Sequence, residues 1–106
     1  MLRVIMCAPA LMLALAACAY AQDDATMNLG KQVFEELAEP PCGLCHTLKD
    51  AQSQSDIGPS LDELKPDSAR VEKAVKNGLN VMPAFPSLTE EQVKAVATYV
   101  AGVAGK

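Results

Sequence analysis

Cys42-Gly43-Leu44-Cys45-His46 is the stretch of this sequence that decides its fold and its chemistry. Two cysteines three residues apart with a histidine directly after them form the C-x-x-C-H pattern, the attachment sequence for c-type haem. Residues i and i+3 lie on one face of a helical turn, so both thiols can add to haem vinyl groups. The next histidine can then reach the iron from one side. The stretch therefore predicts one covalently attached haem.

Upstream of this motif, residues 1–21 have the pattern of a secretory signal peptide. Arg3 precedes an uncharged stretch, residues 4–19, and Ala19-Tyr20-Ala21 is an A-x-A cleavage site. The stretch is short for a transmembrane span. We therefore expect a mature domain over residues 22–106 that is periplasmic and has no membrane span. Leu15-Ala16-Ala17-Cys18 is similar to a lipobox, so a lipid anchor on Cys18 at the membrane surface is the alternative.

The mature composition removes several classes of protein. About 85 residues remain, which allows one domain. The formal net charge of −4 becomes −5 once Arg3 leaves, and this excludes a basic nucleic-acid binder. Only Cys42 and Cys45 remain of the cysteines. These two cysteines disfavour three other kinds of site. A zinc site usually takes two Cys/His pairs, and the mature chain has no second pair. A thioredoxin-like redox pair needs a βαβ setting, and a disulfide across so short a loop stabilises the fold little.

The hydrophobic pattern predicts an all-α fold of about four short helices around the haem. No strand-like alternation occurs. The first helix is expected over residues 28–38 with Asn28 as its N-cap, and its buried stripe comprises Leu29, Val33, Phe34 and Leu37. Gly30 lies beside that stripe and suggests a close helix crossing.

Later segments carry clear start and stop signals. Residues 42–48 and 60–64 are expected to be short and helical, with an exposed loop over residues 49–56. Asp67 or Ser68 should cap a helix that ends at Asn77, and Gly78 is expected to take the left-handed conformation directly after it. Thr89 and Gln92 form a capping box that opens the last helix.

The second axial ligand has two candidates in the mature chain, because His46 is the sole histidine. Met27 precedes the first expected helix and could simply pack. Met82 lies in a loop that Pro83 and Pro86 stiffen, and a loop lets a side chain reach inward. We therefore predict His46 and Met82 as the iron ligands, a pairing that raises the reduction potential.

Ile57-Gly58-Pro59 is predicted to be a rigid turn. A haem-ligating histidine needs a partner for its other ring N–H. The turn could present a backbone carbonyl to His46, and an ordinary turn between loop and helix is the alternative that these residues leave open.

With these pieces in place, the chain resembles the small monohaem c-type cytochromes with His/Met ligation, over residues 28–103. The matching motifs are Gly30-x-x-x-Phe34, Cys42-x-x-Cys45-His46, Gly58-Pro59-x-Leu61, Met82-Pro83-Ala84-Phe85 and Tyr99. The resemblance implies a single cytochrome c domain whose terminal helices cross near Gly30. It also implies that Cys42, Cys45, His46, Pro59, Leu61 and Met82 bind haem, with the Pro59 carbonyl accepting from His46.

Within that family, residues 42–51, 57–64 and 81–85 are similar to the cytochromes that accompany bacterial sulfite dehydrogenases. In those systems a molybdenum enzyme oxidises sulfite and passes electrons to the cytochrome. The expected function is a one-electron carrier, not an enzyme, between such a donor and a respiratory acceptor such as a terminal oxidase. The alternative is a haem enzyme or gas sensor with an open iron position. Whether the chain is a free carrier or a fixed subunit stays open.

Overall fold

Four α-helices account for most of the regular structure in residues 23–106, the part of the chain that this computed structural model describes. We label them α1 (residues 23–32, continuing into a π-turn at Val33–Leu37), α2 (Leu61–Leu64), α3 (Ser68–Asn77) and α4 (Glu90–Val103). Two 3₁₀ turns, Cys42–Leu44 and Lys49–Ala51, lie between α1 and α2. The expected signal peptide, its cleavage site and Cys18 lie outside the described residues.

The all-α prediction is confirmed, since the only β-type pairs within residues 23–106 are two isolated bridges. The predicted helix ends are also confirmed for α3 and α4. The Asp67 side chain caps α3 by accepting from the Arg70 N–H at 2.8 Å. Thr89 and Gln92 form both hydrogen bonds of the capping box that opens α4. These local signals work because they satisfy backbone N–H groups that a helix start leaves without partners.

The prediction for the first helix was wrong at its start and partly wrong along its face. The helix already covers residues 23–27, so Asn28 lies inside it and is not an N-cap. Val33 and Phe34 are buried as expected, but Leu37 is exposed. The physical reason is the π-turn at Val33–Leu37, which adds a residue to the last turn and rotates Leu37 away from the stripe.

α1 and α4 cross at Gly30, as the sequence suggested. A β-carbon on Gly30 would lie 2.5 Å from the Tyr99 β-carbon and would also overlap the Ala95 carbonyl. The absence of a side chain thus lets the two backbones approach closely. Next to the crossing, the Phe34 and Tyr99 rings meet edge to face with centroids 6.2 Å apart, a favoured aromatic geometry.

Two carboxylates connect the helices to the loop after the C-x-x-C-H motif. Tyr99 Oη donates to Asp50 Oδ2 at 2.5 Å. Asp62 accepts from the Lys49 N–H at 2.8 Å and from the Gly105 N–H at 2.9 Å. These contacts hold residues 49–50 against α4 and the C-terminal end of the chain.

The structure also bears on how the chain could meet a membrane. None of the helices in residues 23–106 combines the length and the apolar character needed to cross a bilayer.

Candidate functional site

The C-x-x-C-H segment begins as a 3₁₀ turn, Cys42–Leu44, directly after the Pro40-Pro41 pair. The Cys42 carbonyl accepts from the N–H groups of Cys45 (3.3 Å) and His46 (3.0 Å), so the motif is wound into one tight turn. Both thiols are free and half-buried. Burial raises the pKa of the Cys42 thiol to about 11. Redox-active cysteines have lowered pKa values, so Cys42 lacks the thiolate character of a thioredoxin-like site.

The His46 ring is fixed by the turn that follows the loop. His46 Nδ1 lies 2.8 Å from the Pro59 carbonyl oxygen. A carbonyl can only accept, so Nδ1 carries the proton and Nε2 keeps its lone pair for a ligand. A β-carbon on Gly58 would lie 2.9 Å from His46 Cε1, which explains the glycine at this position. The suggested carbonyl partner for His46 is therefore present in the structure.

Sequence reasoning missed the loop residues that hold this turn against the motif. Thr47 Oγ1 donates to the Ser55 carbonyl at 2.8 Å and accepts from the Ser55 N–H at 3.0 Å. Ser53 Oγ donates to the His46 carbonyl at 2.9 Å, and the Gly58 N–H donates to the Cys45 carbonyl at 2.7 Å. No periodic signal marks them, because hydroxyl-to-backbone bonds across a loop leave no spacing rule in a sequence.

Met82 is held in a tight loop between α3 and α4. Its carbonyl accepts from the Leu79 N–H at 3.0 Å, and its own N–H donates to the Leu79 carbonyl at 2.9 Å. Gly78 begins this loop at φ 73° and ψ 169°. That region is essentially restricted to glycine. The left-handed helical conformation expected of Gly78 was wrong, because its φ is positive but its ψ is extended. The loop turns the Met82 side chain, which is half-buried, toward the core.

Two apolar cavities meet Met82 and together contain every residue singled out from the sequence as a site residue. The first, the motif cavity, has a volume of about 200 Å³, and its walls include Cys42, Cys45, His46, Ile57, Val81 and Met82. The second, the helix cavity, has a volume of about 330 Å³, and its walls include Pro59, Leu61, Arg70, Lys73, Met82 and Val100. Concave, mostly apolar walls with a few placed polar groups are typical of cofactor sites.

Met27, the other methionine considered as a ligand, lies elsewhere. Its side chain packs beside Gly102, with its Cε 3.2 Å from where a β-carbon on that glycine would stand. It belongs to the contact between α1 and α4 and lines neither of the two cavities. The structure thus separates the two candidates and leaves Met82 beside His46.

The residues present fit a covalently attached haem. Two thiols, an imidazole nitrogen with a free lone pair and a thioether share the motif cavity. Thioether sulfur and imidazole nitrogen are the ligand pair found in cytochromes c. The apolar walls of both cavities suit the faces of a large flat ring.

Comparison with known proteins agrees with this geometry. The family model described as cytochrome c oxidase, cbb3-type, subunit III matches residues 25–100. The 4-cresol dehydrogenase [hydroxylating] cytochrome c subunit of Pseudomonas putida is 30% identical over 91 residues, which cover 84% of this chain and 73% of that protein. The crystal structure of the c-type cytochrome SorU from Sinorhizobium meliloti shares 53% sequence identity and a TM-score of 0.77, covering 78% of this chain and 95% of that one.

These matches confirm the predicted fold class, the cofactor and the role as an electron carrier that works with redox partners. The chain belongs to the cytochrome c family that this model describes, and it is an electron-transfer protein with covalently bound haem c.

Proposed function

We propose that Cys42 and Cys45 would attach the haem and that His46 and Met82 would bind its iron. The observation that carries the proposal is the motif cavity, in which both thiols, the His46 ring and Met82 share one set of walls. In this assignment the Pro59 carbonyl orients His46, and Leu61 supplies apolar wall in the helix cavity.

The attachment step balances without an oxidant. Each thiol would add across one vinyl C=C bond of the haem, with its sulfur bonding to one vinyl carbon and its proton going to the other. When bound, the haem supplies an iron that cycles between ferric and ferrous states by one electron. Met82 would favour the ferrous state because soft sulfur binds ferrous iron well. His46 keeps one orientation and one tautomer in both states because Pro59 holds its Nδ1–H.

The attachment assignment is tested by replacing both cysteines. Cys42→Ser/Cys45→Ser should yield protein whose haem is lost on denaturation and acid extraction, and each single variant should retain one bond. The matched control is Ser53→Ala, which lies against the same motif but carries no thiol. Haem that survives acid extraction in the double variant would contradict the assignment.

The ligand assignment is tested by Met82→Ala. We expect a lower reduction potential and rapid binding of CO to the reduced protein, because the thioether would no longer be available to bind the iron. Met27→Ala is the matched control and should leave both properties unchanged, since Met27 packs against α4. If only the Met27 variant binds CO, the two methionines have been assigned the wrong way round. If the unmodified protein already binds CO, the iron has an open position, and the protein is a haem enzyme or gas sensor instead of an electron carrier.

We further propose that redox partners dock where the motif cavity meets solvent. Ile57 and Val81 in its wall are 68% and 93% exposed, which is unusual for large apolar side chains. Two exposed acidic residues lie next to wall residues of this cavity in sequence. Asp56 directly precedes Ile57, and Glu39 directly precedes Pro40. An apolar centre with acidic neighbours suits a partner with a basic rim, and the association rate should then fall as salt rises. A salt-independent rate would contradict this orientation.

The donor we propose is a molybdenum sulfite dehydrogenase, with a terminal oxidase as acceptor. The support is the resemblance over residues 42–51, 57–64 and 81–85 and the likeness to SorU. A purified sulfite dehydrogenase with sulfite should reduce the haem-loaded protein within a single rapid phase. The 4-cresol dehydrogenase enzyme with its substrate is the comparison donor. Faster reduction by that enzyme would assign the chain to a different dehydrogenase.

We propose a periplasmic location, with residues 1–21 removed and residues 22–106 forming the working domain. The A-x-A site before Gln22 supports this, and attachment of c-type haem requires an exported chain. Mass spectrometry of the mature protein should find an N-terminus at Gln22. An acylated N-terminus at Cys18 would instead mean a lipid anchor at the membrane surface.

A further inference from the structure

Asn77 and Gly78 form the only Asn-Gly pair in this sequence, where α3 passes into the methionine loop, residues 78–89. An asparagine followed by glycine is chemically labile, because the next backbone nitrogen can attack the carbon of the side-chain amide. Glycine lacks the β-carbon that obstructs this attack. The Asn77 side chain is exposed, so water reaches it. The other two asparagines are followed by larger residues, Asn28 by leucine and Asn80 by valine.

The folded structure keeps the attacking nitrogen occupied. Asn77 is the last residue of α3, and the Gly78 N–H donates to the Ala74 carbonyl at 2.8 Å. A backbone nitrogen in such a bond retains its proton and lies along the helix axis, away from the preceding side chain. The attack on the Asn77 amide therefore requires the last turn of α3 to open.

Two contacts oppose that opening. Gly78 packs so closely against the methionine loop that a β-carbon on it would lie 2.9 Å from the Met82 carbonyl oxygen. Lys76 Nζ lies 3.0 Å from Glu90 Oε2 and so bridges the two helices that the loop connects. Opening the end of α3 thus requires the methionine loop to move with it, as a local unfolding event.

We propose that Asn77 deamidates spontaneously when the end of α3 opens, and that its isoaspartyl product displaces Met82. The Gly78 nitrogen bonds to the side-chain carbonyl carbon of Asn77, and its proton leaves with the amide NH₂ as ammonia. Water then opens the resulting cyclic imide at either carbonyl and gives aspartate or isoaspartate.

Isoaspartate lengthens the main chain by one methylene directly before Gly78. The close contact between the Gly78 and Met82 backbones depends on the present chain length, so it is lost in the isoaspartyl product. The displacement of Met82 rests on the proposed function, in which Met82 binds the iron. The deamidation itself does not.

The test ages the haem-loaded protein at mildly alkaline pH, beside the same protein unfolded in urea. Peptide mass spectrometry should find conversion at Asn77, with fragmentation that distinguishes isoaspartate from aspartate. The folded protein should convert at least about tenfold more slowly than the unfolded one, because the attack waits for a local opening. Lys76→Gln removes the bridge to Glu90 and should raise the folded rate, relative to its own unfolded rate, about two- to fivefold. Asn80 is the internal control and should stay intact, since valine crowds the nitrogen that follows it.

Two variants separate the charge of the product from its longer backbone. Asn77→Asp adds the charge without the extra methylene and should retain the far-red sulfur-to-iron band. Asn77→Gln should form neither acid and should keep its band through the same aging. In the unmodified protein, loss of the band and gain of CO binding should follow the isoaspartate fraction.

Equal conversion rates in the folded and unfolded proteins would overturn the dependence on opening. An Asn77 that stays intact in both folded proteins, unmodified and Lys76→Gln, would overturn the modification. Isoaspartate at position 77 with an unchanged band would overturn the displacement of Met82. A fresh protein that already lacks the band would instead contradict the proposed ligand, while the mass measurements would still test the deamidation.

Discussion

The close crossing of α1 and α4 makes a sharp prediction for Gly30→Ala. The added β-carbon would lie 2.5 Å from the Tyr99 β-carbon and 2.8 Å from the Ala95 carbonyl carbon. These are backbone or backbone-proximal atoms, so rotamer changes cannot relieve the overlap and the helices must separate. Overpacking of this kind costs about 3 kcal/mol, at the upper end of its usual range. Higher helix propensity returns about 1 kcal/mol, which leaves a net loss of about 2 kcal/mol.

Gly102→Ala is the control that isolates this effect. Gly102 lies in α4, and a β-carbon there would meet only the flexible end of Met27, at 3.2 Å. Gly102→Ala should leave the free energy of unfolding unchanged or raise it by up to about 1 kcal/mol, because alanine has a higher helix propensity than glycine. The assay is urea unfolding of the haem-loaded protein, followed by circular dichroism. A chain of this size has a slope of about 1 kcal/mol/M, so Gly30→Ala should lower the midpoint by about 2 M. Equal midpoints for the two variants would refute the argument from the crossing.

Three further substitutions test the contacts that hold the site. Tyr99→Phe removes the hydrogen bond to a carboxylate and should cost about 1–2 kcal/mol at pH 7. Burial is the main cause that raises the pKa of Tyr99, and the hydrogen bond to the Asp50 carboxylate raises it further. The folded state therefore holds the phenol proton more tightly than the unfolded chain does. The stability that this provides is full below about pH 10, where an unfolded tyrosine ionises, and is lost as pH rises further. Urea midpoints from pH 7 to 11 should therefore converge for the two proteins, and a constant gap would contradict the linkage. Asp62→Ala should cost about 1–2 kcal/mol in the same unfolding assay because two backbone N–H groups lose their acceptor, whereas Glu63→Ala, one residue along, should change little. Gly78→Ala should lower the free energy of unfolding by about 1–3 kcal/mol through backbone strain. It should also weaken the far-red sulfur-to-iron band, because the added β-carbon would lie 2.9 Å from the Met82 carbonyl oxygen. An unchanged band would show that the loop absorbs the strain elsewhere.

The parts of the fold that sequence reasoning predicted well are those with a local physical cause. Asp67 and the Thr89–Gln92 pair satisfy helix N–H groups within three residues, so their spacing alone indicates the helix starts. The end of α3 at Asn77 follows from the same local logic, because a glycine after the last turn can take the positive φ that Gly78 has. The C-x-x-C-H motif is equally local, because both thiols and the histidine must share one turn.

The parts that could not be predicted depend on contacts between distant segments or on irregular geometry. The π-turn at Val33–Leu37 changes the helical period, and a pattern built on 3.6 residues per turn therefore misplaced Leu37. The bond between Tyr99 and Asp50 joins residues 49 positions apart. The bonds that Ser53 forms to the His46 segment follow from loop closure and carry no periodic signal.

The measurement that tests the central claim most directly is the visible spectrum of the purified protein, oxidised and reduced, with CO added to the reduced form. His46 and Met82 as axial ligands predict a sharp reduced α-band, a weak far-red sulfur-to-iron band in the oxidised form, and no response to CO. A high-spin spectrum, or rapid binding of CO, would contradict the account and would mean that the iron has an open position.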